Sequence, residues 1–253
     1  MLTMSFNVLC AGNKLKKTYW TDRKFLVSDL IRKYRPDTFG LQEAHHRWMR
    51  HICNALPEYD YVGVGRDNGK RMGEFSPVFY LKDKYDVTDS GTFWLSETPD
   101  KPSKGWDGAC IRICSWAVLK EKATGKQFVH FNTHLDHVGP TAQREGAKLI
   151  AERSLALKDL PAIMTGDINV EPDSEAFKTV IDAGFEEARF ASGKTDEPKT
   201  FHDFERREEK DRSIIDYIFV RNGFQVKDYK VITEKPGGFL PSDHYPVIAE
   251  LEF

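Results

Sequence analysis

Six short segments of this sequence end apolar runs in residues that can hold a cation or move a proton. They are Ser5-Phe6-Asn7-Val8, Leu41-Gln42-Glu43, Asn132-Thr133-His134-Leu135, Gly166-Asp167-Ile168-Asn169, Ile215-Asp216-Tyr217-Ile218 and Ser242-Asp243-His244. Carboxylate and amide oxygens suit hard cations such as Mg²⁺ or Mn²⁺, and the lack of paired thiolate or multi-His spacing disfavours structural zinc. A hard cation held by one or two carboxylates keeps open positions that phosphate oxygens can fill. The imidazoles of His134 and His244 change charge near neutrality and can take up or release protons. Asp216 interrupts the otherwise apolar run from Ile214 to Val220. A buried carboxylate there needs a partner, and His244 is the candidate.

Each segment also has a plainer reading. Gly166-Asp167-Ile168-Asn169 fits an Asx-type turn before a helix. Glu43 alone fits a cap or surface position, Asn7 could satisfy backbone groups within a strand, and His134 could be a core histidine. His45, His46, His51, His130 and His202 have no comparable context and read as structural or surface residues. Arg112, in a strand near Trp106, and Arg144, at the start of a helix, are candidate phosphate contacts. Gly65 to Glu74 and Phe93 to Pro99 are candidate specificity loops. The mixed-charge run Glu205 to Arg212 reads as a solvated loop.

The elements that must position these residues follow from apolar periodicity. Strands are expected over Leu2–Val8, Thr38–Leu41, Tyr59–Val64, Ser76–Leu81, Val87–Leu95, Pro161–Thr165, Ser213–Val220, Val226–Ile232 and Val247–Leu251. Ile111–Leu119 and Phe128–Thr133 flank a Gly-containing turn and read as a hairpin. Helical spacing runs from Leu26 to Tyr34, stopping before Pro36, and again over His46–Leu56 and Thr141–Leu157. Asp173 or Ser174 is the expected cap of a helix ending at Ile181. If the short strands neighbour one another in packed sheets, their ends can converge on one rim.

Composition sets the frame. The 253 residues carry 37 Lys and Arg against 39 Asp and Glu, a formal net charge of −2 with the signs interspersed. Affinity gained by wrapping a nucleic-acid backbone needs clustered Lys and Arg, which this balance does not favour. With 40% hydrophobic and 30% charged residues, the chain reads as one domain over 1–253, a packed core beneath a charged surface. Cys10, Cys53, Cys110 and Cys114 form no Cys-x-x-Cys pair and read as buried reduced thiols. The first residues read as a strand rather than a signal peptide, and no run approaches the ~18 apolar residues of a membrane span. A soluble cytoplasmic protein is expected.

Taken together and in this order, the six segments resemble the endonuclease/exonuclease/phosphatase superfamily, the DNase I-like phosphoesterases, across essentially the whole chain. The resemblance implies a four-layer α/β sandwich, with two mixed β-sheets packed face to face and helices outside. It also implies Mg²⁺-dependent hydrolysis of a phosphoester, with Mn²⁺ as the alternative ion. By the same resemblance Glu43 is the principal metal ligand, Asn7 lies in or near the metal shell, and Asp243 supports the metal side. His244 is implied as general base for the attacking water, or its electrostatic partner, with Asp216 orienting it. Asp167 and Asn169 would position nucleophile and phosphate, and His134 would contact the phosphate or the departing oxygen.

The branch is less defined. Apurinic/apyrimidinic endonucleases usually carry Tyr where this chain has His134. His134-Leu135-Asp136-His137 is also similar to part of the zinc motif of metallo-β-lactamase-like hydrolases, but Asn132 stands where that motif needs a further His. The expected substrate is a phosphorylated small molecule, lipid or nucleotide. The competing readings are a non-catalytic phosphate- or nucleotide-recognition domain on the same fold, and a nuclease.

Overall fold

The computed structural model describes residues 1–12, 14–15 and 18–252. In chain order the first elements are β1 (Leu2–Asn7), α1 (Trp20–Tyr34), β2 (Thr38–Gln42), β3 (Ala44–His45), α2 (His46–Ala55), β4 (Tyr59–Val62), β5 (Glu74–Phe75), β6 (Val78–Leu81) and β7 (Tyr85–Trp94). There follow β8 (Ile113–Glu121), β9 (Gln127–His134), α3 (Pro140–Leu155), β10 (Ala162–Asp167), α4 (Glu175–Asp182), β11 (Glu186–Glu187), α5 (Ala188–Ala191), β12 (Asp216–Arg221), β13 (Gln225–Val231) and β14 (Val247–Glu252).

Two six-stranded sheets form, in the orders β13-β14-β1-β2-β6-β4 and β11-β12-β10-β9-β8-β7. The pairs β1–β2 and β9–β10 are parallel and the rest antiparallel, so both sheets are mixed. Strand alternation explains the layering. In β10 and β12, Ile163, Ile218 and Val220 face the other sheet, while Ala162, Met164, Tyr217 and Phe219 face α3 and α4. Helices α1 and α2 cover the outer side of the first sheet through Val27, Leu30, Ile31, Trp48, Met49 and Ile52. The four-layer sandwich implied by the motifs is therefore the fold adopted.

The inter-sheet space is not wholly apolar. His130 bridges Thr38 Oγ1 at 2.8 Å and Thr165 Oγ1 at 2.9 Å. Asn132 donates to the carbonyls of Leu41 and Pro77 and accepts from Gln42 Nε2 at 2.7 Å. Buried polar groups of this kind are tolerated because they pair with one another. Gly40 permits the close approach, since a Cβ there would lie 2.2 Å from both Asn132 Oδ1 and Thr165 Oγ1.

The expected elements form, with shifted ends. α1 begins at Trp20, earlier than its apolar spacing indicated. β9 and β10 extend through His134 and Asp167, because Asp167 pairs with strands on both sides and holds His134 as its partner on β9. Ser174 is the cap of α4, accepting from the Phe177 amide at 3.1 Å. All four cysteines are free, but only Cys114 is buried and the other three are half-buried. Among the described residues no helix is long and apolar enough to cross a membrane.

Candidate active site

Register brings the chemistry together. β9 and β10 run parallel and β12 antiparallel, so His134, Asp167 and Asp216 stand abreast in one row. In the facing sheet, β1 and β2 end on the register partners Asn7 and Gln42, and Glu43 follows directly. β1 packs across onto β10 and β12. His244, just before β14, bridges to Phe201. The loops that leave these strands turn sharply: Glu43 and Asn169 both hold left-handed backbone, at φ 61° and 53°. Such conformations are disfavoured for side chains other than Gly and cluster at functional sites.

Asn7 links the two sheets. Its Nδ2 donates to Glu43 Oε1 at 3.1 Å and to Asp167 Oδ2 at 2.8 Å, while its Oδ1 accepts the Leu9 amide. Asn7 thus braces two carboxylates from facing sheets. Glu43 Oε2 accepts the Cys10 amide at 2.9 Å. Asp167 Oδ1 accepts the Asn169 amide at 3.0 Å, so the Asx turn and the site residue are one feature. His134 Nε2 lies 3.5 Å and His244 Nε2 3.8 Å from Asp167 Oδ2. His244 Nδ1 donates to Asp216 Oδ2 at 2.8 Å, the pairing expected from the sequence.

Charge separates the two histidines. Burial pulls His244 down, but the Asp216 carboxylate overrides it and, with Asp167 and Asp243, holds the imidazole up to about 10. His134 lies well below the ordinary range, because of burial first and then the nearby charges of Arg112 and Arg66. Near neutral pH the site therefore pairs an imidazolium with a neutral imidazole. Burial and the neighbouring Asp216 push Asp167 well above the usual carboxylate range. Asp243 is raised by burial, with Glu43 adding to the effect. Glu43 moves the other way: burial opposes ionisation, but the Cys10 amide, His244 and Asn7 hold it low.

These residues fit a divalent cation. Glu43, Asp167, Asp216 and Asp243 gather around one imidazolium, all with oxygen donors. Asp216 Oδ1 is buried without a hydrogen-bond partner among the described residues.

Arg112 is buried beside this row, with its Nη2 3.2 Å from His137 Nδ1. Its Nη1 and Nε each lie 3.9 Å from a carboxylate, Glu74 and Asp136, but make no hydrogen bond. Arg144 is elsewhere occupied, at the surface with Glu145 and Glu175. Several site residues carried no recognisable sequence signal. Thr200 Oγ1 accepts the amides of Ile215 and Asp216, and the Phe201 ring packs 4.8 Å from that of His244. Arg66 pairs with Glu74 at 2.5 Å, and Glu74 ends the Gly-rich loop singled out for its composition.

A two-sheet sandwich with acids, amides and two histidines on one rim is the architecture of DNase I-like phosphoesterases. The chain belongs to the Endonuclease/Exonuclease/phosphatase family, whose sequence model matches residues 4–244. An endonuclease/exonuclease/phosphatase from Bacteroides vulgatus shares 40% identity and superposes with a TM-score of 0.94, covering 100% of this chain and 98% of that one. A mannosyl-6-phosphatase from Bacteroides thetaiotaomicron shares 38% identity with a TM-score of 0.92, covering 100% of both chains. Nocturnin from Xenopus laevis is 26% identical over 187 residues, which span 68% of this chain and 45% of nocturnin.

Proposed function

We propose that this protein is a divalent-metal-dependent phosphoesterase, with Mg²⁺ as its ion and Mn²⁺ as a substitute, that hydrolyses a phosphoester by attack of water at phosphorus. One observation carries the reading: the Asp216–His244 pair and neutral His134 flank Asp167 on a rim shared with Glu43.

Glu43 and Asp243 would hold the ion, with Asn7 fixing the Glu43 carboxylate. A bound divalent cation offsets the charge that builds on the phosphoryl oxygens. Arg112, whose Nε and Nη1 make no hydrogen bond, would donate to a phosphate oxygen. His244, kept protonated by Asp216, stabilises negative charge in the transition state. Asp167, whose raised pKa makes it a better proton acceptor than an ordinary carboxylate, takes the proton of the attacking water. Asn169 helps hold that water in line, and His134 hydrogen-bonds the departing oxygen, which takes its proton from solvent as it leaves. His244 is accordingly the electrostatic partner of the water rather than its base, because it already carries its proton.

A phosphorylated small molecule is the substrate class, and a hexose 6-phosphate is the first member to test. Support comes from the full-length likeness to a mannosyl-6-phosphatase and from a charge balance that does not favour nucleic acid. The test is a panel of mannose 6-phosphate, chromogenic mono- and diesters, and single- and double-stranded nucleic acids, with Mg²⁺, Mn²⁺ or chelator. The expected result is monoester cleavage abolished by chelator and by Glu43→Ala. Ester binding without cleavage in every condition would favour a recognition domain and sink the enzyme reading.

A further inference from the structure

Beside the rim lies a second group of donors of different character. Cys10 leaves the end of β1, His45 lies on β3 and Glu74 on β5, and the β3–β5 pair sets His45 opposite Glu74. One ligand atom from each of the three lies within 4.8 Å of the others, and all three residues are half-buried. A cavity of about 410 Å³, lined in part by Cys10 and His45, gives access from solvent. The His45 ring makes no hydrogen bond among the described residues.

A thiolate, an imidazole nitrogen and a carboxylate with a fourth position left open form the donor set of zinc, not of magnesium. Tetrahedral zinc holds its ligand atoms roughly 3.3–3.8 Å apart, so spacings within 4.8 Å close by side-chain rotation of at most about 1.5 Å. We propose that Cys10, His45 and Glu74 form a site for a thiophilic divalent cation of the zinc class, and that its occupancy antagonises hydrolysis. Binding releases the thiol proton of Cys10 to solvent as the sulfur–metal bond forms.

The antagonism follows from position. The Cys10 amide holds Glu43 Oε2 at 2.9 Å, so a cation on the Cys10 sulfur sits next to the carboxylate assigned to the catalytic ion. It also draws Glu74 from Arg66, loosening the guanidinium cluster beside His134. Only this inhibitory consequence rests on the phosphoesterase reading.

Cobalt(II) reports the site directly, because a thiolate–cobalt bond gives a near-ultraviolet charge-transfer band. The full chain, free of substrate, is titrated with Co²⁺ and then with Zn²⁺. The expected result is a band that Zn²⁺ bleaches, with Co²⁺ bound at least tenfold more weakly by Cys10→Ser and by His45→Gln; the second variant serves if the first does not fold. In turnover assays Zn²⁺ should inhibit the Mg²⁺-supported reaction, with the half-inhibitory concentration raised at least tenfold in Cys10→Ser. No band, or a band of full strength in Cys10→Ser arising from Cys53, Cys110 or Cys114, overturns the site. Zinc inhibition that Cys10→Ser leaves unchanged overturns the antagonism. A clear band with no turnover on any ester would defeat the phosphoesterase reading and leave the ion site standing.

Discussion

Asp167 and Asp216 stand directly opposite each other across the β10–β12 pair, and both are buried. Two carboxylates so placed cannot both ionise cheaply without compensation. The compensation is divided. Asp216 is matched by the His244 imidazolium at 2.8 Å, while Asp167 has only Asn7, the Asn169 amide and more distant imidazoles. The registered pair is thereby made unequal, one member anchoring an imidazolium and the other held above the usual carboxylate range.

Removing the anchor should collapse this asymmetry. In Asp216→Asn, burial is opposed only by the weaker influence of Asp167 and Asp243, so the His244 pKa should fall from about 10 toward or below the ordinary 6.5. Imidazole proton shifts followed by NMR across the pH range measure this. Turnover should drop by about 10²-fold or more. A His244 resonance still titrating near 10 in the variant would defeat the assignment of Asp216 as its partner.

Asp167→Asn should separate stability from function. A carboxyl whose folded pKa is raised costs the fold stability as pH climbs above the unfolded value of about 3.9, because the unfolded chain ionises first. The neutral amide avoids that cost. Metal-free Asp167→Asn should melt a few degrees higher than wild type at mildly alkaline pH, with the gap closing in acid, while losing turnover. Thermal melts at several pH values, paired with the ester assay, provide the check.

Much of this site was legible in the sequence, for a physical reason. Strands that end at a rim must change there from apolar to polar, so Asn7, Glu43, His134, Asp167 and Asp216 mark their own positions. The Asp216–His244 pair could be inferred because an acid in an apolar strand needs a partner. What could not be read is register. Asn7 and Asp167 meet across 160 residues of chain, and nothing local encodes that contact. The two-residue strands β3 and β5 are too short to show periodicity, so the Cys10–His45–Glu74 group was invisible and His45 read as structural. Arg144 shows the converse: its place at the start of α3 pointed to phosphate, yet its neighbours Glu145 and Glu175 hold it at the surface.

Acid sensitivity of the fold should trace to the polar contacts between the sheets. Burial pushes His130 down to about 3, whereas an unfolded histidine takes its proton near 6.5. Between those values the unfolded state binds more protons, so this contribution is complete above the upper value and lost as pH falls. About two pH units below it, the loss from His130 amounts to about 2.7 kcal/mol. His202, also pushed down to about 3 chiefly by burial, acts in the same direction. Urea unfolding from neutral to mildly acidic pH should show the decline, and His130→Gln should make it shallower. An unchanged slope in that variant would remove His130 as the cause.

Arg23 should prove to be a support that couples the two halves of the site. It is 1% exposed, and its guanidinium donates to the carbonyls of Val8, Leu9, Thr18 and Pro241 at 2.5 to 2.8 Å. Val8 and Leu9 lead into Cys10, whose amide holds Glu43, Thr18 lies just before α1, and Pro241 begins the turn that leads into Asp243 and His244. Burial lowers its pKa to about 10, and the charges of Asp243 and Glu43 work against that loss, so it remains a cation. Arg23→Met leaves buried carbonyls without donors and should cost about 3 kcal/mol or more in urea unfolding. Arg23→Lys should recover only part of this, because one ammonium cannot reproduce the planar fork that meets several acceptors at once. Below the melting temperature of each variant, the Mg²⁺ concentration for half-maximal turnover should rise as Glu43 and Asp243 lose their fixed spacing. Full stability with unaltered Mg²⁺ dependence in Arg23→Met would show that the two loops hold their places without it.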